Sequence, residues 1–193
     1  MERALVIDHS TLIIRRAGAV VFGALLVAGA AQVSVPLPGT PVPMTLQPMA
    51  VLLVAGLLGP QLGALSMILY LAMGAAGLPV FTPTVPLVGV ARLFGPTGGY
   101  LLAYPVAAWA TGWLTPGSQS GVNKPWLGRV ALAVLVGLVL IHLGGLAQLA
   151  ILTGSISGAA QLATAPFLLG DLLKLALLVP VLAKLTPTIR ARL

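Results

Sequence analysis

Between Arg16 and Lys124 the chain carries one charged residue, Arg92. That scarcity constrains the fold more than any single motif does. Soluble domains carry roughly a quarter of their residues as charged side chains. Here the 193 residues are 7% charged and 59% hydrophobic, and the mean hydropathy is +1.08. Such a chain lacks the polar surface to stay in water, so a bilayer is its expected solvent. Inside a bilayer the backbone has to satisfy its own hydrogen bonds, which continuous apolar runs do as helices.

Six apolar segments are read, at about 17–35, 46–59, 61–78, 96–114, 127–152 and 166–185. Most have the length of roughly 17–25 residues that a membrane crossing needs. The second is short and has Pro48 near its start, so it reads as tilted or half-buried. Proline and glycine mark the breaks, as in Gly59-Pro60, Leu78-Pro79 and Gly95-Pro96. The stretches 115–124 and 154–161 read as polar or small-residue loops. The fold class that follows is an all-α membrane protein with six transmembrane helices, forming one integral membrane domain over 1–193 with a short N-terminal tail at 1–15. A cleaved leader is the alternative for the first segment, because Arg15 and Arg16 precede it and Ala28-Gly29-Ala30 resembles a cleavage site. The length of that run and the membrane-like segments after it favour a span.

The net charge of +7 does not point to nucleic acid, since the basic residues flank apolar segments and form no patch interleaved with aromatics. They fit the positive-inside pattern instead. With both termini cytoplasmic and six crossings, Arg3, Arg15, Arg16, Lys124, Arg129, Lys184, Arg190 and Arg192 all fall on the cytoplasmic side. Arg92 and Lys174 are the two basic residues this topology leaves unexplained. The chain has no cysteine, which excludes disulfides and thiolate metal sites.

Lys174 sits three residues after Asp171 inside the last apolar segment, and this spacing puts both on one helical face. A charge at the centre of a membrane helix costs roughly 2.5–3.5 kcal/mol on insertion scales. Two readings stand: an ion pair that neutralises itself, or a pair kept for contact with a polar ligand. A buried pair is seldom a net source of stability, which favours ligand contact. Phe167 shares the face. Arg92, in the outer loop 79–95, is expected to converge on the same outward pocket.

Other positions carry a bland reading beside a sharp one. Gly95-Pro96-Thr97-Gly98-Gly99-Tyr100 predicts a helix start, with Pro96 at the first helical position. Gly98 and Gly99 either pack against a helix or leave N–H groups free for a ligand's oxygen. Thr45 and Gln47 end a proline-rich strap, 36–43, that is a rigid connector or a pocket rim. Tyr70 lines a pocket or packs. Ala24 and Ala28 form a small-xxx-small pattern that lets a helix approach closely, inside the bundle or from a partner. His142 stands without a second histidine or carboxylate nearby in sequence and reads as a satisfied buried side chain. Trp109, Trp113 and Trp126 read as interfacial anchors. No Gly-x-x-x-x-Gly-Lys-Ser/Thr loop occurs, so the chain shows no sign of hydrolysing ATP by itself. No cofactor or metal is expected.

Four stretches resemble the BioY family: 35–47 (Val35-Pro36-Leu37-Pro38-Gly39-Thr40-Pro41-Val42-Pro43-Met44-Thr45-Leu46-Gln47), Tyr70 with Gly77-Leu78-Pro79-Val80-Phe81, 92–100, and Pro166-Phe167-Leu168-Leu169-Gly170-Asp171-Leu172-Leu173-Lys174. They occur in the family's order over about 15–185. The resemblance implies the biotin-capturing S component of an energy-coupling factor transporter, a multi-pass protein of the prokaryotic cell (inner) membrane. It implies as partners a transmembrane coupling subunit and two cytoplasmic ABC-type ATPases. It assigns biotin binding to Asp171 and Lys174, and docking of the coupling subunit to Ala24 and Ala28. Family members are often Gly-rich in the loop 82–90 and place an amide near the ligand, whereas this chain has Thr82-Pro83-Thr84-Val85-Pro86-Leu87-Val88 and no Asn. For biotin, Asp171 suits the urea N–H groups and Lys174 suits the urea carbonyl or the carboxylate. Phe81, Tyr100 and Phe167 suit the bicyclic ring. Arg92 meets the carboxylate or holds the outer loop.

Two rivals follow from the same residues. An autonomous membrane carrier, for biotin or another vitamin, would show an inverted repeat, and only a short echo exists between 58–63 and 94–99. An intramembrane enzyme would need a second carboxylate, a metal set or an activated nucleophile beside Asp171 and Lys174, and none is evident.

Overall fold

Apolar runs punctuated by proline and glycine fold here into a helical bundle whose two ends differ sharply in charge. The computed structural model describes residues 9–117 and 124–193. Its elements are α1 (His9–Gln32), a two-residue strand pair β1 (Ser34–Val35) and β2 (Met44–Thr45), α2 (Gln47–Leu58), α3 (Pro60–Ala75), the short α4 (Ala91–Phe94), α5 (Gly98–Leu114), α6 (Lys124–Thr153), α7 (Ile156–Ala163), a 3₁₀ turn (Ala165–Phe167) and α8 (Leu168–Arg190). The long helices α1, α2, α3, α5, α6 and α8 coincide with the six apolar segments. Ser10–Gln32 and Trp126–Thr153 are each long and apolar enough to cross a membrane, and Ile156–Ala163 with Leu168–Arg190 form a pair, bent by 50°, that passes together. Large apolar side chains such as Phe22, Leu169 and Leu172 point outward from the bundle.

The sequence-level boundaries shift where local chemistry overrides hydropathy. α1 begins at His9, inside the stretch expected as tail, and carries Arg15 and Arg16 on exposed positions. It stops at Gln32 because Ser34 and Val35 pair antiparallel with Thr45 and Met44, closing the proline strap into a loop. α3 stops at Ala75, not at Leu78. Gly77 adopts φ +91, and the Leu78 N–H donates to Met73 O and the Gly77 N–H to Gly74 O. That is a Schellman closure, which needs a residue tolerant of positive φ. The helix expected to start at Pro96 starts at Gly98. The supposed loop 154–161 is largely α7, started by Ser155, whose Oγ accepts from the Gly158 N–H at 3.1 Å. Of the three tryptophans, Trp109 and Trp113 are exposed and stacked, whereas Trp126 is buried in the core. Residues 118–123, part of the other expected loop, lie outside the described residues.

Close approach of α5 to α6 sets the frame. A Cβ at Gly99 would collide with the Gly144 carbonyl, and one at Gly144 would meet the Gly99 carbonyl. The two backbones therefore touch, as small residues permit. Gly145 leaves room for the Tyr100 ring.

The long helices alternate between the two ends. At one end Arg190 reaches across from α8. Its Nε and Nη2 donate to Gly56 O (3.1 and 2.8 Å), Nη2 also donates to Gly112 O (2.8 Å), and Nη1 donates to Thr115 O (2.8 Å). Gly56 and Gly112 lie in the last turns of α2 and α5, where carbonyls lack intrahelical partners and the helix dipole is negative. Arg16 Nε donates to Leu193 O at the same end. The strap, the loop 79–95, α7 and the start of α8 gather at the other end.

Arg190→Ala is expected to lower unfolding stability in detergent by about 2–4 kcal/mol, since hydrogen bonds to a charged group are worth about 1.5–3 kcal/mol and buried carbonyls would be left bare. Arg190→Lys should recover less than half of the loss, because an ammonium lacks the planar fork. Unchanged unfolding midpoints in both variants would show that the clamp does not hold the helix ends together.

Candidate functional site

The first two turns of α8 place Asp171 and Lys174 side by side, facing inward. Lys174 Nζ donates to Asp171 Oδ1 at 3.0 Å, and both side chains are buried. The second carboxylate oxygen, Oδ2, lies 2.5 Å from His142 Nε2 on α6. The other ring nitrogen, Nδ1, lies 3.2 Å from Ala163 O at the end of α7. That carbonyl also accepts from the Tyr100 hydroxyl at 2.6 Å. One carboxylate and one carbonyl thus tie α5, α6, α7 and α8 together. The His142 ring stands at 78° to Tyr100, with centroids 6.1 Å apart, and 6.2 Å from the Phe167 ring.

Arg92 faces these groups from α4. It is 1% exposed, which for an arginine demands partners. Nη1 donates to Val85 O and, at 3.1 Å, to Leu87 O, and Nη2 donates to Thr82 O at 2.7 Å. Its guanidinium carbon lies 6.0 Å from the centre of the Phe81 ring. Burial pulls its pKa below the ordinary arginine value, although a guanidinium stays charged in proteins. Of the two roles open from sequence, this geometry is that of a loop holder. Its Nε, like Thr97 Oγ1, is buried without a hydrogen-bond partner among the described residues. Buried polar atoms are normally satisfied, and each orphan calls for an explanation.

A cavity of about 50 Å³ lies among these groups. Its wall contains Asp171, Lys174, Arg92, Phe167, Tyr100, Phe81, Gln47 and Thr45, together with Val42 and Pro43 of the strap. The strap is tied down by Thr40 Oγ1, which donates to Leu162 O at 2.8 Å.

Three expected site residues are not in that wall. Gly98 is packed against the Leu93 carbonyl and the Gln148 amide, and Gly99 against the α6 backbone. The packing reading of these glycines therefore applies, and Thr97 is the residue of that turn facing the cavity. Tyr70 stands behind Gln47, accepting from its Nε2 at 2.7 Å and donating to Val80 O at 3.2 Å. Ala24 and Ala28, expected at a partner surface, are 0% and 9% exposed inside the bundle core. The small stripe that contains them lets α1 settle onto α2 and α3, where a Cβ at Gly23 would meet Ser66 and Val54 side chains.

His142 and Thr97 were not expected at the site. His142 carries no carboxylate neighbour in sequence because its partner comes from another helix. A polar ring in the middle of an apolar run was the available signal, of the same kind that singles out Asp171.

The pattern of the BioY family matches residues 3–191. The chain is 39% identical over 156 residues to a probable biotin transporter BioY of Pyrococcus horikoshii, covering 80% of this chain and 85% of that one. It is 37% identical over 155 residues to the biotin transporter BioY of Thermotoga maritima, again covering 80% and 85%. The fold superposes on the crystal structure of the S-component for biotin from an ECF-type ABC transporter with a TM-score of 0.77 at 25% identity, over 90% of this chain and 92% of that one.

Arg92→Lys keeps the charge but cannot bridge three carbonyls. Amide exchange in 82–88 is expected to rise about tenfold or more while α5 and α6 keep their protection. Unchanged exchange in that loop would contradict the clamp.

Proposed function

We propose, because this chain belongs to the BioY family, that it captures biotin at a prokaryotic cell membrane and passes it inward with an ATP-driven energy-coupling factor module. The single observation that carries this reading is the cavity at the start of α8, where a buried carboxylate and ammonium meet aromatic rings and unpartnered donors. Biotin offers a urea with two N–H donors and one acceptor, an apolar bicyclic ring and a carboxylate. Asp171 accepts from the urea N–H groups, and Lys174 donates to the urea carbonyl or pairs with the carboxylate. Tyr100, Phe167 and Phe81 cover the ring. The free Arg92 Nε and the Thr97 hydroxyl serve the remaining ligand acceptors. Gln47 supplies a carboxamide that the loop 82–90 lacks.

At about 50 Å³ the cavity is smaller than the roughly 300–1,000 Å³ of small-molecule sites. The strap and the loop held by Arg92 therefore yield to admit cargo and close behind it.

The whole chain forms one integral, multi-pass domain in the cell (inner) membrane, with six crossings and both termini cytoplasmic. Two features support this: the alternation of the long helices between the two ends, and the collection of Arg15, Arg16, Arg190 and Arg192 at the end away from the cavity. Lipid covers the outward apolar faces. The partners are a transmembrane coupling subunit and two cytoplasmic ABC-type ATPases, which supply the nucleotide site this sequence lacks. The chain itself is a transport component and not an enzyme.

Titration of the purified chain with biotin in nanodiscs tests the reading. Saturable binding is expected, and Asp171→Asn and Lys174→Ala should each weaken it at least tenfold, about 1.4 kcal/mol. Absence of saturable binding by the parent chain overturns the function. Near-native affinity in both variants overturns the site.

A further inference from the structure

We infer that Tyr70, from behind the cavity wall, fixes the Gln47 carboxamide with its oxygen toward the cargo, so that Gln47 serves as the acceptor for one urea N–H and Tyr70 is its positioning residue. The inference deepens the reading of this cavity as a biotin site and rests on it for the ligand.

A carboxamide has nearly the same shape with its oxygen and nitrogen exchanged, and its neighbours decide between the two. Here one hydrogen decides. A tyrosine hydroxyl carries a single hydrogen, whereas a carbonyl oxygen only accepts. Tyr70 donates its hydrogen to Val80 O at 3.2 Å, and no other donor meets that carbonyl among the described residues. The hydroxyl oxygen therefore has to accept at its second contact, the end of the Gln47 side chain 2.7 Å away. The atom there is the donor Nε2. The exchanged amide would put Oε1 in that place and leave one hydrogen between two acceptors. Both contacts are buried, where an unmet acceptor is costly.

Tyr70 is held in place by its own packing. It is 0% exposed, with the Phe81 ring edge-on at 5.5 Å and the Tyr104 ring at 6.4 Å. Gln47, in the first turn of α2, is buried and belongs to the cavity wall, whereas Tyr70 does not. With Nε2 kept at Tyr70, the other branch of the carboxamide, Oε1, meets no donor among the described residues. Acceptors are otherwise scarce on this wall. Asp171 already shares its two oxygens with Lys174 and His142. The Thr45 hydroxyl oxygen takes the Gln47 backbone N–H at 3.2 Å. Arg92 Nε, unpartnered, is a donor. The urea of biotin brings two N–H groups on different edges of its ring, and each needs an acceptor once water is excluded. Asp171 suits one and Gln47 Oε1 suits the other. An amide turned the other way would set N–H against N–H. Gln47 thus favours a ligand with two donors and disfavours one that presents a methyl group or an acceptor at that edge.

NMR of the ligand-free chain in nanodiscs, with labelled glutamine and tyrosine, reads the amide without any ligand. Gln47→Met and Tyr70→Phe identify the two sets of signals. Cross-peaks between the Gln47 side-chain NH₂ protons and the Tyr70 ring protons are expected. Their absence places the oxygen at Tyr70 and overturns the proposal, whatever the chain binds. Biotin, and biotin methylated at one urea nitrogen or at the other, are then titrated against the parent and Tyr70→Phe. Tyr70→Phe is expected to weaken biotin about fivefold, the worth of one neutral hydrogen bond, and to change the affinity of one of the two methylated forms by less than about twofold. That form is the one whose missing N–H faces Gln47. Equal weakening of all three ligands is what a merely structural tyrosine gives, and it overturns the positioning role. Gln47→Met, which leaves Tyr70 in place, should show the same selective pattern, and equal losses there overturn the urea contact. If the parent binds no biotin while the cross-peaks persist, the vitamin reading and the urea contact fail together and the fixed amide stands.

Discussion

Everything at the cavity end depends on how one buried carboxylate is shared. Asp171 divides its two oxygens between Lys174 on its own helix and His142 on α6. A lone carboxylate inside an apolar helix is costly in a bilayer, by roughly 2.5–3.5 kcal/mol on insertion scales, and a two-member pair would offer little beyond its own neutrality. The three-member arrangement fixes the rotation of α8, pins α6 against α7 through Ala163, and leaves a donor-rich face toward the cavity.

The two ends of the bundle use arginine in the same way for different purposes. Arg190 gathers the carbonyl ends of α2 and α5, and Arg92 gathers the carbonyls of a loop. A guanidinium suits both tasks because its planar fork meets several acceptors and it cannot be neutralised. At the Arg190 end the result is a clamp on helix termini. At the Arg92 end the clamped segment is a loop without helical support of its own, the kind of element that opens at low cost. The asymmetry suits a protein that admits cargo at one end and keeps its helices fixed at the other.

Hydropathy and proline–glycine punctuation place a helix on each of the six apolar runs, although among the described residues only Ser10–Gln32, Trp126–Thr153 and the bent pair ending in α8 are long and apolar enough to cross a membrane. Helix ends were not legible where a few hydrogen bonds decide, as in the Schellman closure at Gly77 and the Ser155 cap of α7. Asp171 and Lys174 stood out because insertion cost makes any mid-helix charge conspicuous. His142 was visible as a polar residue but not as their partner, because pairing between helices leaves no spacing in sequence. Gly98 and Gly99 show the reverse limit: a glycine that lets a ligand approach and one that lets a helix approach look alike until the neighbour is seen. For Ala24 and Ala28 the spacing announced close packing, and the side on which it occurs came only from the bundle.

A crystal structure of the chain with biotin bound would show whether the Asp171–Lys174 pair grips the vitamin. The bicyclic ring is expected against Tyr100 and Phe167, with a polar group of the vitamin within hydrogen-bond distance of Asp171 or Lys174. Biotin seated elsewhere, with the Lys174–Asp171–His142 contacts undisturbed and no ligand atom near them, would contradict it.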